Sequence, residues 1–217
     1  MRALHGLHDR PVNYAVTERP TETGDGWYVD AYRLPLPPEP PGPPVQSGSW
    51  AIAQQVIRDY EFADPRLIRA VYYPDSPLQD RDMLLIGRFF GLRFRMGVRV
   101  GGVMDQDTEM EGRPVRIWGW DYRTLEGHLE AGQMDYEVWK WQDTGEVEFH
   151  VSRFVRKTGY GHPIVRLGFR VFGRFMQQLF VRRAFRRMER FVRAGLGQGA
   201  PPASKAAEVP ASRQTEG

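Results

Sequence analysis

Residues Trp118 to Val138 read WGWDYRTLEGHLEAGQMDYEV. Large side chains alternate at the start (Trp118, Trp120, Tyr122) and again at the end (Tyr136, Val138, with Lys140 following). Between them lies a polar loop holding Gly127, His128, Glu130 and Gly132. In a strand every second side chain points to the same face, so period two marks a strand with one buried face. Two such runs joined by glycine and charge predict an antiparallel pair.

The same reading extends outward. Arg93 to Gly101 alternates cleanly, with Phe94, Met96, Val98 and Val100 on one face and Arg93, Arg95 and Arg99 on the other. Met83 to Phe90 precedes it, and Gly91 marks the turn. Asp105 to Gly112 reads as an acidic loop, followed by strands over Val115–Tyr122, Gln133–Gln142 and Glu146–Arg156. Asp143-Thr144-Gly145 is a hairpin turn between the last two strands. Phe149, Val151, Arg153 and Val155 share one face of the last strand. Toward the N-terminus, Trp27 to Leu36 is strand-like. Pro35 to Pro44 holds seven prolines in ten positions and so is neither helix nor central strand. Ser49 suits the N-cap of a helix from Trp50 to Tyr60, and Asp64-Pro65 suits the start of a second, short helix.

His162-Pro163 opens a helix to Arg193, roughly 45 Å long at the usual rise. Its apolar stripe changes side. Ile164, Gly168, Val171, Phe172, Phe175, Met176 and Leu179 form one face of the first half. In the second half Arg182, Arg183, Arg186, Arg187, Arg190 and Arg193 continue that line. Phe185, Met188 and Val192 lie about half a turn away, so the sequence predicts that they need a cover the sheet does not supply.

An antiparallel sheet with one apolar face must be covered, and a long amphipathic helix is the natural cover. The order of elements therefore predicts an α+β fold, a curved antiparallel sheet wrapped on a long C-terminal helix. That order is the helix-grip arrangement of START-like and Bet v 1-like proteins. Residues 1–25 read as an N-terminal extension, 26–194 as one domain with a Pro-rich connection at 35–44, and 195–217 as a disordered tail.

The chain has no cysteine, which excludes disulfides, thiolate chemistry and Cys-based zinc sites. Its first residues lack a signal-peptide core, and the reading is cytoplasmic. His5 and His8 are three apart with no third ligand nearby, so neither a metal nor a cofactor is implied. The charge is uneven. Lys157 to Arg193 holds ten basic residues and one acid, a balance of +9. With a chain total of +3 and a neutral tail from Ala194 onward, residues 1–156 carry −6.

Tyr122-Arg123-Thr124-Leu125-Glu126-Gly127-His128-Leu129-Glu130-Ala131-Gly132 resembles the pattern Tyr-x-Thr-Leu-x-Gly-His-x-x-x-Gly-Glu of a bacterial and plant family, "domain of unknown function nineteen-ninety". Tyr136 and Val138 match its next strand, and Val147, Phe149, Val151 and Phe154 the one after. The resemblance spans residues 115–192 and departs from the pattern at Gln133, where the family has Glu. It implies no established activity.

Three functional readings follow. The first is a non-catalytic binder of a small hydrophobic or amphipathic ligand between sheet and helix. Its lining is Phe94, Met96, Val98, Val100, Trp120, Tyr122, Tyr136, Val138, Phe149, Val151 and Arg153. An inward Arg153 needs a partner, either a ligand anion or an acid of the chain. The second is an enzyme using His128 and Glu130 at the cavity mouth; the bland alternative for His128 is a loop-capping ring. The third is an interaction protein whose basic helix, through Arg182, Arg186 and Arg190, meets another copy or an anionic membrane. Nucleic acid is disfavoured, because no reading motif accompanies the charge.

Overall fold

The computed structural model describes residues 2–15, 19–89, 92–158 and 163–202, and of residues 2, 89, 92 and 163–174 the backbone alone. The elements are α1 (Arg2–His5), β1 (Tyr28–Leu36), α2 (Ser49–Arg58), β2 (Ile68–Val71), β3 (Asp82–Phe89), β4 (Leu92–Met110), β5 (Arg113–Thr124), β6 (Glu130–Trp141), β7 (Val147–Lys157) and α3 (Pro163–Gly195). Strands β2 to β7 form an antiparallel meander, and β1 returns to pair with β7, giving the order β1-β7-β6-β5-β4-β3-β2. With α2 and α3 laid on one face, this is the α+β helix-grip arrangement. None of the helices among the described residues is long and apolar enough to cross a membrane.

Three local readings of the sequence are corrected. Asp105 to Gly112 is not a loop: β4 runs on to Met110, pairing Asp105 with Trp118 and Met110 with Arg113. Period two fails as a guide here because Gly101 and Gly102 together oppose Asp121, a bulge that shifts the faces. A Cβ on Gly101 would sit 2.3 Å from both the Asp121 carboxylate and Arg123. The turn is Glu111-Gly112, both at positive φ, a two-residue hairpin turn. Asp64-Pro65 starts a single turn rather than a helix. Its carbonyl accepts the Leu67 and Ile68 N–H groups, and β2 begins at once because Ile68 pairs with Gly87.

Ser49 is not the cap of α2. The helix begins there, and Gly48 makes no side-chain cap. The capping acceptor comes from the Pro-rich segment. Glu39 Oε1 takes the Trp50 N–H at 2.8 Å, and Oε2 takes the Val45 N–H at 2.9 Å. Lys140 of β6 donates to the same carboxylate at 2.7 Å and to the Pro43 carbonyl at 2.9 Å. Both side chains are buried. A stiff run of prolines, a helix start and the centre of the sheet thus meet at one ion pair.

The N-terminal residues pack against the sheet. Leu4, Leu7, Leu84 and Leu125 form a small cluster on the face away from α3. Arg99 holds the segment down, donating to the carbonyls of Leu7 and His8 while pairing with Asp82. His5 bonds the Tyr73 hydroxyl, and His8 lies near Asp82.

What covers the second apolar stripe of α3 is the largest correction. Phe180, Val181, Ala184, Met188 and Val192 are buried in the main core, with Phe185 and Phe191 partly buried beside it. The cover for Phe185, Met188 and Val192 is therefore the sheet and α2. Phe149 of β7 meets the Phe185 ring at 5.8 Å. Among the described side chains the inward stripe runs straight from Gln177 to Val192, so no bend is needed to seat it. Phe175, expected to face the sheet, is 59% exposed. Val171 and Phe172 lie among residues whose side chains are not described.

Candidate functional site

The concave face of the sheet gathers the expected lining residues. Met96, Val98 and Val100 of β4, Trp120 and Tyr122 of β5, Tyr136 and Val138 of β6, and Phe149 and Val151 of β7 are all buried in one cluster, and Phe94 packs on its edge. Two contributors were not legible in the periodicity: Tyr60 and Phe62, from the turn after α2. Phe62 inserts between Tyr136 and Phe149, with ring centroids 4.5 and 5.5 Å away. Trp120 Nε1 donates to the Ile57 carbonyl at 3.1 Å and fixes this turn to β5.

Tyr60 has φ of 59°, a left-handed conformation in a fully buried aromatic residue. It occupies the position where helices commonly end on glycine. The Tyr60 N–H bonds the Ile57 carbonyl and the Glu61 N–H bonds Val56, which closes the helix in a Schellman motif. The strain of placing a Cβ there is on the order of 1–2 kcal/mol, and it delivers the ring into the concave face. The Tyr60 hydroxyl is buried and, among the described residues, makes no well-formed hydrogen bond. Its polar company is the hydroxyls of Tyr122 and Tyr136, which reach it through charge and through loose hydrogen bonding. Those two hydroxyls donate to the Met134 sulfur, at 3.0 and 3.7 Å. Burial pushes Tyr122 up to about 12 and the other two hydroxyls well above the ordinary tyrosine range, so all three are neutral.

Burial gives way at one end of this face. Phe94, Met134, Tyr32 and Arg153 point inward but are only partly buried. Arg153 has its acid from within the chain: Nε donates to Asp30 at 3.0 Å, and Glu130 lies 3.9 Å away. Gln177 of α3 bonds Arg153, Asp30 (2.8 Å) and the Tyr32 hydroxyl (3.1 Å). Burial raises the Glu130 carboxyl, and Arg153 and Lys157 pull it back. The opposite end is closed by α2 and the Glu39–Lys140 pair.

His128 lies under the β5–β6 loop. Nδ1 sits 3.0 Å from the Glu130 N–H and 2.8 Å from its carbonyl, so the ring ties to the first residue of β6 in either tautomer. The Glu130 carboxylate turns to Arg153 instead; among the described residues no hydrogen bond joins it to His128. The rest of the sequence pattern is also structural. Thr124 Oγ1 accepts from the Gly132 N–H and donates to Asn13, locking the loop to the N-terminal segment. Gly132 has φ of 154°, and a Cβ there would lie 2.1 Å from the Phe154 carbonyl oxygen. Gln133 points to the outer face, toward Tyr14 and Asp135, away from the concave side.

Burial holds His128 down to about 4, so the folded protein keeps it neutral. A histidine depressed in this way adds stability that is complete above its unfolded value of about 6.5 and is lost as pH falls toward 4. The full shift corresponds to about 3 kcal/mol. His128→Asn keeps hydrogen-bonding atoms near Nδ1 without the titration. The stability gap between wild type and variant, read from urea midpoints, should shrink between pH 6.5 and pH 4. A gap independent of pH would show that the ring is already solvated.

No curated protein matches the chain. Similar solved structures include Ara h 8.0201, with a TM-score of 0.45, 10% identity, and coverage of 78% of this chain and 99% of that one. Another is an uncharacterized protein from Rhizobium leguminosarum, with a TM-score of 0.28, 13% identity, and coverage of 72% and 98%. At these scores the fold assignment rests on the sheet order and the docked helix. Residues 12–187 match the family described as "Domain of unknown function (DUF1990)", and the chain belongs to that family.

Proposed function

We propose that the protein binds a small amphipathic ligand at the open end of its concave face, without catalysis. The carrying observation is a buried cluster of three tyrosine hydroxyls, Tyr60, Tyr122 and Tyr136, which among the described residues find only one another and the Met134 sulfur, beside the partly buried Phe94, Met134 and Arg153. An unmade buried hydrogen bond costs about 1–3 kcal/mol. A polar ligand atom bonding this cluster from its Met134 side would recover part of that energy, while Phe94, Met134 and Tyr122 supply apolar contact. Arg153 is already paired with Asp30, so a ligand anion is not required to neutralise it. His128 and Glu130 are less suited to acid–base work, since each is committed to a structural partner.

Tyr60→Phe tests the reading because two effects should oppose. The purified variant should be more stable than wild type by about 1 kcal/mol, having lost a poorly satisfied buried hydroxyl. It should also retain less of any small molecule that copurifies with wild type, read by native mass spectrometry. Destabilisation by Tyr60→Phe would mean that the hydroxyl is bonded within the chain. A wild-type protein that carries no added mass and fails to enhance anilinonaphthalene sulfonate fluorescence would also overturn the proposal.

A further inference from the structure

The arginines of α3 fall into two groups. Arg183 pairs with Asp64 at 2.8 Å, and Arg187 with the Glu61 carboxylate at 3.3 Å and its carbonyl at 3.0 Å, so both bind the turn after α2. Arg182, Arg186 and Arg190 point away from the body, are exposed, and make no ion pair among the described residues. Four-residue spacing sets them along one side of the helix. Arg193 continues the row and pairs with Glu189 at 2.9 Å. Phe175 lies on the same side, seven residues before Arg182, and is 59% exposed.

We propose that this outward face of α3 is a docking surface for an anionic phospholipid membrane. The row from Phe175 to Arg193 spans roughly 27 Å along a straight helix, a line rather than a pocket. It therefore fits a plane of charge. The sign agrees: the helix region carries +9 and residues 1–156 carry −6, so an anionic plane draws in the helix and turns the body away. The exposed aromatic decides between polyanions. A phenyl ring gains by entering the headgroup–acyl boundary, whereas a phosphate backbone alone offers it little. Guanidinium groups beside it meet lipid phosphates with paired donors.

The test is flotation of the full chain with phosphatidylcholine vesicles, with and without phosphatidylserine. Wild type should bind only the anionic vesicles, and added salt should weaken binding. The triple variant Arg182→Gln/Arg186→Gln/Arg190→Gln should lose partitioning by on the order of a hundredfold. The triple Arg→Lys variant should keep most of it, and Phe175→Ser should lose about tenfold. All these side chains are exposed, so thermal melts should not move. Wild type that ignores anionic vesicles overturns the proposal, as does a triple Gln variant that binds like wild type. Retention on an oligonucleotide column without vesicle binding would assign the row to nucleic acid instead.

Discussion

Lys140→Ala should lower the unfolding free energy by about 3–5 kcal/mol, read from chemical denaturation followed by tryptophan emission. The cost comes less from losing an attraction than from what stays behind. Lys140 is fully buried, and its removal leaves the Glu39 carboxylate out of water with two backbone N–H groups and no countercharge. Glu39→Ala should cost as much or more, because it strands the ammonium and also uncaps α2 at Trp50. Glu39→Leu combined with Lys140→Met should recover part of the loss and not all of it. No charge is then buried alone, but the N–H groups of Val45 and Trp50 still lack their acceptor. Since a domain's whole stability is about 5–15 kcal/mol, either single variant should be close to the folding threshold at 37 °C. A cost below about 1 kcal/mol for Lys140→Ala would mean that water reaches the pair.

The second large effect separates the two apolar stripes of α3. Met188→Ala should destabilise by about 2–5 kcal/mol, since Met188 is fully buried against the sheet core. Phe175→Ala, a larger truncation by volume, should change stability by less than about 0.5 kcal/mol, because its ring is already in water. The order of these two melts decides which stripe of the helix docks. If Phe175→Ala were the costlier change, the stripe carrying Phe175 would be the one seated on the sheet.

The sheet was legible because its strands obey one rule. Trp118–Tyr122, Tyr136–Val138 and Phe94–Val100 alternate without interruption, and each lies inward as period two requires. The rule failed where the chain broke its own period. Beyond the Gly101-Gly102 bulge, β4 is polar on both faces and exposes Met104 and Met110, so it looked like a loop. The helix failed for a different reason. Two stripes of similar apolarity compete along α3, and periodicity gives the stripes without saying which one the sheet meets. That choice is made by contacts from distant parts of the chain, such as Asp64 and Glu61 binding Arg183 and Arg187. The site was half legible for the same reason. The strands announce Tyr122, Tyr136 and Arg153, whereas Tyr60, Phe62, Asp30 and Gln177 reach it from a turn, an edge strand and a helix.

An open sheet has two edges, and each leaves a row of backbone donors and acceptors able to pair with another molecule. Here the outermost strands give little purchase. One edge, β2, is only four residues long. The other, β1, contains Pro35 and runs directly into Pro37 and Pro38, which have no N–H to offer an incoming strand. Arg33 stands exposed near that end, adding charge where flat apolar stacking would begin. The proline run that carries Glu39 inward therefore also guards the β1 edge against an incoming strand: residues that complete the fold also limit what can be added to it.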